Sequence, residues 1–359
     1  MKATQSRKRA FQEGLKAIKV QKNGTLSRKV TPLGSIRPRL YNSDGMPTTN
    51  QIIQGDSIQI LNDGPEGWVD LVFADPPFNI GYLYHGYNDE RNTEDYLKFT
   101  EDWMTAVYRA LKPNGAFYLA IGDEYAADLA VIARRKIGFH MRNWIIWHYT
   151  FGQQTKMMFA KSHTHILYLT KNPDPKEITF NSDAVRVASA RQTTYADKRA
   201  NSKGKLPDDT WFLRPQEAAP HGYFESTWDT WNESRVCGTF KEREGWHGCQ
   251  MPIGVLNRII KASSDVGDVV LDPFNGSGTT VVAAAMLDRK YVGIDQSAEY
   301  VGYAKKRLEH ALENGAGGKN GIDVKSVVLD VKRASKVMTK TDAFGRPRVA
   351  RRSRAAKSA

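Results

Sequence analysis

The chain of 359 residues is 40% hydrophobic and carries a formal net charge of +13, so it has enough apolar content for a full buried core. No apolar run is long enough to cross a membrane and no secretory signal pattern follows Met1, so we expect neither a membrane span nor export. The two cysteines, Cys237 and Cys249, cannot build a disulfide framework, which fits a reducing compartment.

The positive charge is concentrated at the two ends of the chain. Residues 1–40 contain eleven Lys and Arg against one Glu, and residues 331–359 contain ten against one Asp. Residues 41–330 therefore carry a net charge of −6. Such tails are typically disordered and bind polyanions, although they can also serve only as solubilising segments. An organelle transit peptide would explain the first tail but not the second.

From residue 51 onward, apolar strand-like runs alternate with helical stretches, which predicts an α/β fold. The strands are nearly continuous runs of β-branched and aromatic residues, so we expect helices on both faces of the sheet. After one helix, Lys112–Gly115 predicts a stop and a turn. The predicted strands are Gln51–Gly55, Val69–Ala74, Ala116–Ile121, Trp144–Tyr149, His165–Thr170, Val269–Leu271 and Tyr291–Ile294. The predicted helices are Thr93–Leu111, Glu124–Lys136, Pro252–Ser263, Thr279–Leu287 and Ala298–Glu313.

The alternation lapses in a polar, irregular stretch that contains five prolines, at residues 172–245. A long, loop-rich insertion in a compact domain is commonly functional or disordered. Because this stretch combines basic and aromatic residues, we predict that it contacts a nucleic acid. These residues include Arg186, Arg191, Tyr195, Lys198, Arg199, Lys203, Lys205, Trp211, Trp228 and Trp231.

The segment Val269–Thr280 has the pattern of a strand, a glycine-rich turn and a helix. Glycine lets the backbone pass close to a ligand, which would lie against a helix N-terminus at the carboxyl ends of the strands. Gly278 is followed by Thr279 and not by Lys, so this is not a phosphate-binding P-loop. Asp295 ends the next strand, where an acid can accept both hydroxyls of a ribose. The pattern favours a ligand with a ribose but no phosphate, and S-adenosylmethionine is such a ligand.

A second motif, Asp75-Pro76-Pro77-Phe78, ends the strand Val69–Ala74. The two prolines remove the backbone N–H groups, so the motif offers one carboxylate and a run of carbonyls, all of them acceptors. Asp75 and the Pro76 carbonyl can each accept one N–H of an exocyclic amine, and Phe78 can stack on a planar base. On its own, a strand-ending turn would explain the motif equally well. Its presence with the glycine-rich turn favours a catalytic role for Asp75, Pro76, Pro77 and Phe78.

Together these motifs resemble the β group, the circularly permuted members, of the amino-group DNA methyltransferases that act on adenine N6 or cytosine N4. In that group the Asp-Pro-Pro-aromatic motif comes first, then the recognition region, then the glycine-rich motif, as in this chain. The resemblance implies the S-adenosylmethionine-dependent methyltransferase fold, an α/β fold with a seven-stranded, mostly parallel sheet in which the last strand is antiparallel. It also implies S-adenosylmethionine as cofactor and double-stranded DNA as partner, from which the base is flipped out.

The resemblance extends to two further segments. Gly55-Asp56 ahead of Leu61 is similar to a Gly-Asp-x4-Leu motif of the family, which implies that Asp56 binds the cofactor's adenine. Residues 246–252 match a His-Pro-Thr-Gln-Lys-Pro segment only in part, and Met251 replaces its lysine. That segment packs against the methionine part of the cofactor in the family. The residues that we expect to bind the cofactor are Asp56, Gln250, Asp272, Phe274, Asn275, Gly276, Gly278, Thr279 and Asp295.

The order of motifs predicts five regions. They are a basic tail at 1–40, the catalytic half of the methyltransferase domain at 41–171, a target-recognition insert at 172–245, the cofactor-binding half at 246–325 and a second basic tail at 326–359.

From the sequence we expect a site-specific DNA methyltransferase acting on adenine N6, in the cytoplasm and associated with the nucleoid. Asp at position 75 favours adenine, because the cytosine-N4 members of the family usually carry Ser there. Cytosine N4 is the first alternative, and a non-catalytic DNA-binding protein that retained the fold is an alternative of another class. The His and Cys spacings fit no zinc pattern, so we expect no metal. A homodimer is possible by resemblance to the family.

Overall fold

The computed structural model describes residues 41–211, except for short gaps at 43–44, 46, 82, 85–86, 154–156, 158, 160, 188 and 194, and residues 250–314. Both predicted basic tails, the second part of the predicted insert with Trp228 and Trp231, and residues 246–249 lie outside the described residues. Among the described residues, no helix is long and apolar enough to cross a membrane.

The described chain alternates strands and helices, as the periodicity predicts. The strands are β1 (Gln51–Gln54), β2 (Val69–Ala74), β3 (Leu83–Tyr84), β4 (Tyr87–Asn88), β5 (Leu111–Ile121), β6 (His140–Gln153), β7 (Lys161–Thr170), β8 (Thr210–Trp211), β9 (Val269–Asp272) and β10 (Lys290–Asp295). The α-helices are α1 (Ser57–Asn62), α2 (Thr93–Ala110), α3 (Ala126–Val131), α4 (Ala190–Thr193), α5 (Ile253–Ser263), α6 (Thr279–Met286) and α7 (Ala298–Asn314). A π-helical segment at Ile132–Ile137 continues α3, and 3-10 turns occupy Pro175–Glu177 and Ser182–Val185.

The main sheet has the strand order β1-β10-β9-β2-β5-β7-β6-β8. Only β7 pairs antiparallel to its neighbours β5 and β6, and the other pairings are parallel. The seven predicted strands are all present, so the predicted mostly parallel methyltransferase sheet is confirmed. The two-residue β8 lengthens the sheet to eight strands beyond the expected seven.

Helices cover both faces of the sheet, and each face has its own apolar core. The strand β2 contributes Leu71 and Phe73 to the core under α5, α6 and α7, and Val72 and Ala74 to the core under α1, α2 and α3. All six residues of β2 are buried, which explains why five of them are apolar, and the carboxylate of the sixth, Asp70, accepts from Lys112 Nζ at 2.7 Å. This two-sided covering fixes the strands, so the loops at their carboxyl ends are held in place.

Two local expectations differ from the structure. The helix α1 was not predicted, because six residues are too few to show a helical period, yet Asp56 caps its N-terminus by accepting from Ile58 N at 2.8 Å. The turn expected at Lys112–Gly115 lies inside β5 as an irregularity, where Val69 pairs with Leu111 and Leu71 pairs with Ala116. Residues 112–115 of β5 bulge out between these two pairings, and β5 pairs regularly with β2 again from Ala116 onward.

Candidate active site

One cavity of about 360 Å3 opens at the carboxyl ends of β1, β2, β9 and β10. Both sequence motifs reach it, although they are about 200 residues apart in the chain, since parallel strands end at the same edge of a sheet. Nine of the thirteen predicted site residues line the cavity, namely Asp56, Asp75, Pro77, Asp272, Phe274, Asn275, Gly276, Thr279 and Asp295.

The charge of the cavity is one-sided. Four of the described residues that line it are aspartates, Asp56, Asp75, Asp272 and Asp295, and none is Lys, Arg or His. Aromatic and thioether side chains complete the wall, with Phe99, Phe274, Tyr300 and Met251. An acidic, partly aromatic cavity repels phosphate and favours a planar ligand that carries positive charge.

The glycine-rich turn is fixed by the carboxylates that end β9 and β10. Asp272 accepts from Phe274 N at 3.0 Å and from Thr280 Oγ1 at 2.6 Å. Asp295 accepts from Gly276 N at 2.8 Å and from Ser297 N at 2.9 Å. These turn N–H groups are therefore already bonded inside the protein, unlike the free N–H groups that cradle phosphate in a P-loop.

Positive φ angles explain the glycines of the turn. Gly276 has φ +43° and Gly278 has φ +77°, a region that other residues rarely adopt. A Cβ atom on Gly278 would also lie 2.9 Å from the Cβ of Ala304 on α7. From the same helix, the nearly buried Arg307 donates to Ser277 O and Thr279 Oγ1, both at 2.9 Å. Sequence analysis missed Arg307. The available signal was a basic residue on the apolar face of a predicted helix, beside Ala304, Leu308 and Ala311.

Burial also raises the pKa of two of the aspartates that line the cavity. Asp272 is 3% exposed, and this desolvation raises its pKa to about 7, against the opposing effect of the hydrogen bonds from Thr280 and Phe274. Desolvation likewise raises the pKa of Asp295. A cationic ligand would favour the ionised form of both groups, so binding and ionisation of these carboxylates support each other.

Asn275 is a buried amide whose bonding is incomplete. It is 3% exposed, it lines the cavity, and neither Oδ1 nor Nδ2 has a hydrogen-bond partner among the described residues. Its side chain lies over β10, where a Cβ atom on Gly293 would be 2.4 Å from Oδ1. Leaving such a group unpaired costs about 1–3 kcal/mol, so a polar ligand or water at this point would be favourable.

Two of the four residues of the catalytic motif line the cavity. Asp75 is half-buried and lines the cavity with Pro77, whereas Pro76 is buried and Phe78 is half-buried. A Cβ atom on Gly122 would lie 3.3 Å from Phe78 Cδ2, so the ring rests beside the end of β5. Pro76, Phe78, Gln250 and Gly278 are the four predicted site residues that do not line the cavity, and the buried Gln250 is next to Met251, which does.

The residue after the motif, Asn79, was also missed by sequence analysis. It has φ +57°, and its side chain bonds to Arg91 and Tyr125. The available signal was an asparagine directly after two prolines and an aromatic residue, since Asn is the residue other than Gly that best tolerates this backbone region. Among the described residues, no group of three or more His, Cys, Asp or Glu could hold a metal ion.

Comparison with known proteins gives a consistent result. The sequence model of the family described as "DNA methylase" matches residues 69–306. The type II methyltransferase M.HpaI of Haemophilus parainfluenzae is 34% identical over 259 residues, which cover 72% of this chain and 74% of that protein. The DNA adenine methyltransferase YhdJ of Escherichia coli (strain K12) is 32% identical over 261 residues, 72% of this chain and 83% of that protein.

Among solved structures, the cytosine-N4-specific PvuII DNA methyltransferase superposes with a TM-score of 0.51 at 16% identity. The match covers 81% of this chain and 93% of that chain, and it shows a common fold. From the family match and the identity to two curated relatives over most of their length, this chain belongs to the amino-group DNA methyltransferases, the N6-adenine and N4-cytosine DNA methylase family.

Proposed function

We propose that this protein transfers a methyl group from S-adenosylmethionine to N6 of an adenine flipped out of duplex DNA. The observation that carries the proposal is that Asp75, the acceptor of the catalytic motif, lines the same acidic cavity as the glycine-rich turn. An amine held at Asp75 would therefore meet a ligand bound at the turn within one enclosed space.

The cavity fits S-adenosylmethionine by its chemistry. Bound there, S-adenosylmethionine supplies an electrophilic methyl group on a positively charged sulfur. Four aspartates and the absence of basic side chains among the described lining residues suit that charge. In this proposal Asp295 binds ribose hydroxyls, Phe274 packs on a planar ring, and the unpaired amide of Asn275 bonds a polar group.

Asp56 can bind the cofactor's adenine through only one of its two carboxylate oxygens in this proposal. Its Oδ1 is already the N-cap acceptor of α1, and its Oδ2 accepts from Gln296 Nε2 at 3.2 Å. A carboxylate oxygen has two lone pairs, so Oδ2 can accept a further N–H from an adenine amine. Asp272, Gly276, Gly278 and Thr279 shape the turn that holds the rest of the cofactor, and Gln250 belongs to the segment that would pack against its methionine part.

On the substrate side, the carboxylate of Asp75 and the carbonyl of Pro76 accept the two N–H groups of the amine. These bonds orient the nitrogen lone pair and stabilise the positive charge that develops as nitrogen is alkylated. Pro76 and Pro77 carry no N–H that would compete for the same acceptors. Phe78 stacks on the base and Pro77 closes the wall beside it.

Adenine is the preferred base because position 75 is Asp, and the relative YhdJ is by its name a DNA adenine methyltransferase. Cytosine N4 requires the same acceptors and is the alternative base. The insert at 172–245 is proposed to read the DNA site and the basic tails to bind phosphates without regard to sequence. A homodimer and a nucleoid-associated location in the cytoplasm remain predictions.

The test is to incubate the purified protein with labelled S-adenosylmethionine and unmethylated duplex DNA, digest the DNA and identify the methylated nucleoside. Label in N6-methyladenine is the expected result. Label in N4-methylcytosine would overturn the choice of base and keep the mechanism. Absence of label in DNA, with cofactor binding intact, would redirect the proposal to another amine acceptor. Absence of cofactor binding would favour the non-catalytic DNA-binding alternative.

A further inference from the structure

The backbone that leaves the catalytic motif is held by an unusually complete set of hydrogen bonds to one side chain, Asn79. Its Oδ1 accepts from Arg91 N at 2.7 Å, and its Nδ2 donates to Arg91 O at 3.0 Å and to Tyr125 OH at 2.9 Å. The two hydrogens of Nδ2 are therefore both used. This amide joins the motif to the segment before α2 and to the segment before α3.

The buried carboxylate of Asp89 holds the same stretch from its backbone side. It accepts from Asn79 N at 2.8 Å and from Ile80 N at 3.2 Å, and it is 1% exposed. Tyr96, on α2, donates from its hydroxyl to Pro77 O at 2.9 Å and packs its ring 4.5 Å from that of Tyr125. We name these bonds around Asn79, Asp89, Tyr96 and Tyr125 the Asn79 clasp.

The clasp supplies hydrogen bonds near the motif that the two prolines cannot donate themselves. Pro76 and Pro77 have no N–H, so the motif cannot be fixed by the backbone donors that fix the glycine-rich turn. Support must then come through carbonyls and through the first N–H groups downstream, which is where the clasp bonds. A displacement of about 1 Å at a reacting group can cost about 10²-fold in rate.

We propose that Asn79 is a positioning residue for methyl transfer, which acts through the clasp to aim the carboxylate of Asp75 and the carbonyl of Pro76 at the target amine. The inference rests on the proposed function. Asn suits the position because it combines tolerance of positive φ with an acceptor and two donors on a short side chain. Gly would keep the backbone and lose the bonds, and Asp would keep the acceptor and lose the donors.

The test compares Asn79→Gly, Asn79→Asp and Tyr125→Phe with a matched control, Asn50→Gly. Asn50 also has a positive φ, of 60°, but it is exposed and precedes β1, and its side chain accepts a hydrogen bond from Tyr291 N at 3.3 Å. The control therefore removes the same side chain from the same backbone conformation outside the clasp. Each variant is assayed as the full chain for kcat and KM on unmethylated duplex DNA, and for its thermal shift with S-adenosylmethionine.

We expect Asn79→Gly to lower kcat by about 10-fold to 10²-fold, with KM for S-adenosylmethionine unchanged within about 2-fold. Asn79→Asp and Tyr125→Phe should each give a smaller fall, and Asn50→Gly none. In the double variant, Tyr125→Phe should add little to Asn79→Gly, because its hydroxyl acts through the Asn79 amide. If Asn79→Gly does not fold, Asn79→Asp and Tyr125→Phe give the same comparison.

An unchanged kcat in Asn79→Gly would overturn the inference, as would an equal loss of cofactor binding and kcat, because that pattern reports general disruption of the site. Independent, multiplying effects of Asn79→Gly and Tyr125→Phe would also contradict it. A wild-type protein that does not label DNA would instead count against the proposed function, so the two failures are distinguishable.

Discussion

The two loops that line the cavity, the glycine-rich turn and the proline motif, are built by opposite means. The glycine-rich turn exposes no unpaired backbone N–H at Phe274, Gly276 or Gly278, because nearby carboxylates and carbonyls accept from each of them. The proline motif has no such N–H groups at Pro76 and Pro77, and it brings the carboxylate of Asp75 to the wall of the cavity. Glycine makes one loop compact and saturated, and proline makes the other rigid and rich in acceptors.

The two loops also differ in which residues hold them in position. Carboxylates at the ends of β9 and β10 accept from the glycine-rich turn across up to 19 residues, and Arg307 donates to it from 28 and 30 residues away. Tyr96 bonds to Pro77 of the proline motif, and Asp89, Arg91 and Tyr125 bond to the two residues after it, from 9 to 46 residues away. We therefore expect changes on the two sides to separate catalysis from cofactor binding.

The largest expected effect is on the proline side. Asp75→Ala should lower kcat by about 10²-fold to 10³-fold or more, since it removes an acceptor that acts on charge developing in the transition state. The thermal shift with S-adenosylmethionine should stay close to that of the wild type. Asp75→Asn is the size-matched control and should also be severely impaired, because one of its two terminal groups is a donor. Equal loss of transfer and cofactor binding would mean that the motif is misassigned.

The reverse pattern is expected on the glycine side. Asp295→Ala removes the acceptor of Gly276 N and Ser297 N and the proposed ribose contact, so affinity for S-adenosylmethionine should fall by about 10-fold to 10²-fold. At saturating cofactor, kcat should change by only a few-fold. Titration calorimetry and the KM for the cofactor measure this. If the variant binds S-adenosylmethionine as tightly as the wild type, the glycine-rich turn does not control cofactor affinity as we expect.

An intermediate effect concerns pH. Burial raises the pKa of Asp272 from 3.8 to about 7, so the ionised form weakens the folded state. Stability from this group is fully present below about pH 4 and is lost as pH rises through about 7. Asp272→Asn does not titrate, so the Tm of the wild type should fall relative to that of the variant between about pH 4 and pH 7. A Tm difference that is constant over this range would contradict the assignment.

The smallest expected effects come from a pair of glycines. Gly293→Ala should destabilise by about 1–3 kcal/mol, because its Cβ would lie 2.4 Å from Asn275 Oδ1 in a well-packed strand. Gly302, on α7, has open space around it, so Gly302→Ala should stabilise by about 0.5–1 kcal/mol through helix propensity. Urea unfolding measures both, and only Gly293→Ala should also weaken cofactor binding, through Asn275. Equal behaviour of the two variants would show that the contact at Asn275 is unimportant.

Much of this architecture could be predicted from the sequence. The seven main strands and five longest helices follow from period and composition, and both loops follow from short motifs whose chemistry is local. The helix predicted at Glu124–Lys136 is present, although its second half is π-helical, and the two-residue β8 carries too little pattern to be predicted. Asn79 and Arg307 were missed because their roles depend on contacts with residues far along the chain.

The sequence by itself determined the type of each loop, because Gly and Pro set backbone freedom and donor content wherever they stand. It also determined the family, since the two motifs and their order are chemical patterns of adjacent residues. Only the tertiary structure decided that four aspartates share one cavity, that Arg307 secures the glycine-rich turn, and that Asn79 meets Arg91 and Tyr125. The reason is physical, because hydrogen bonds and burial act over about 3 Å, and only the packing of β2, β5, β9 and β10 brings these distant segments within that distance.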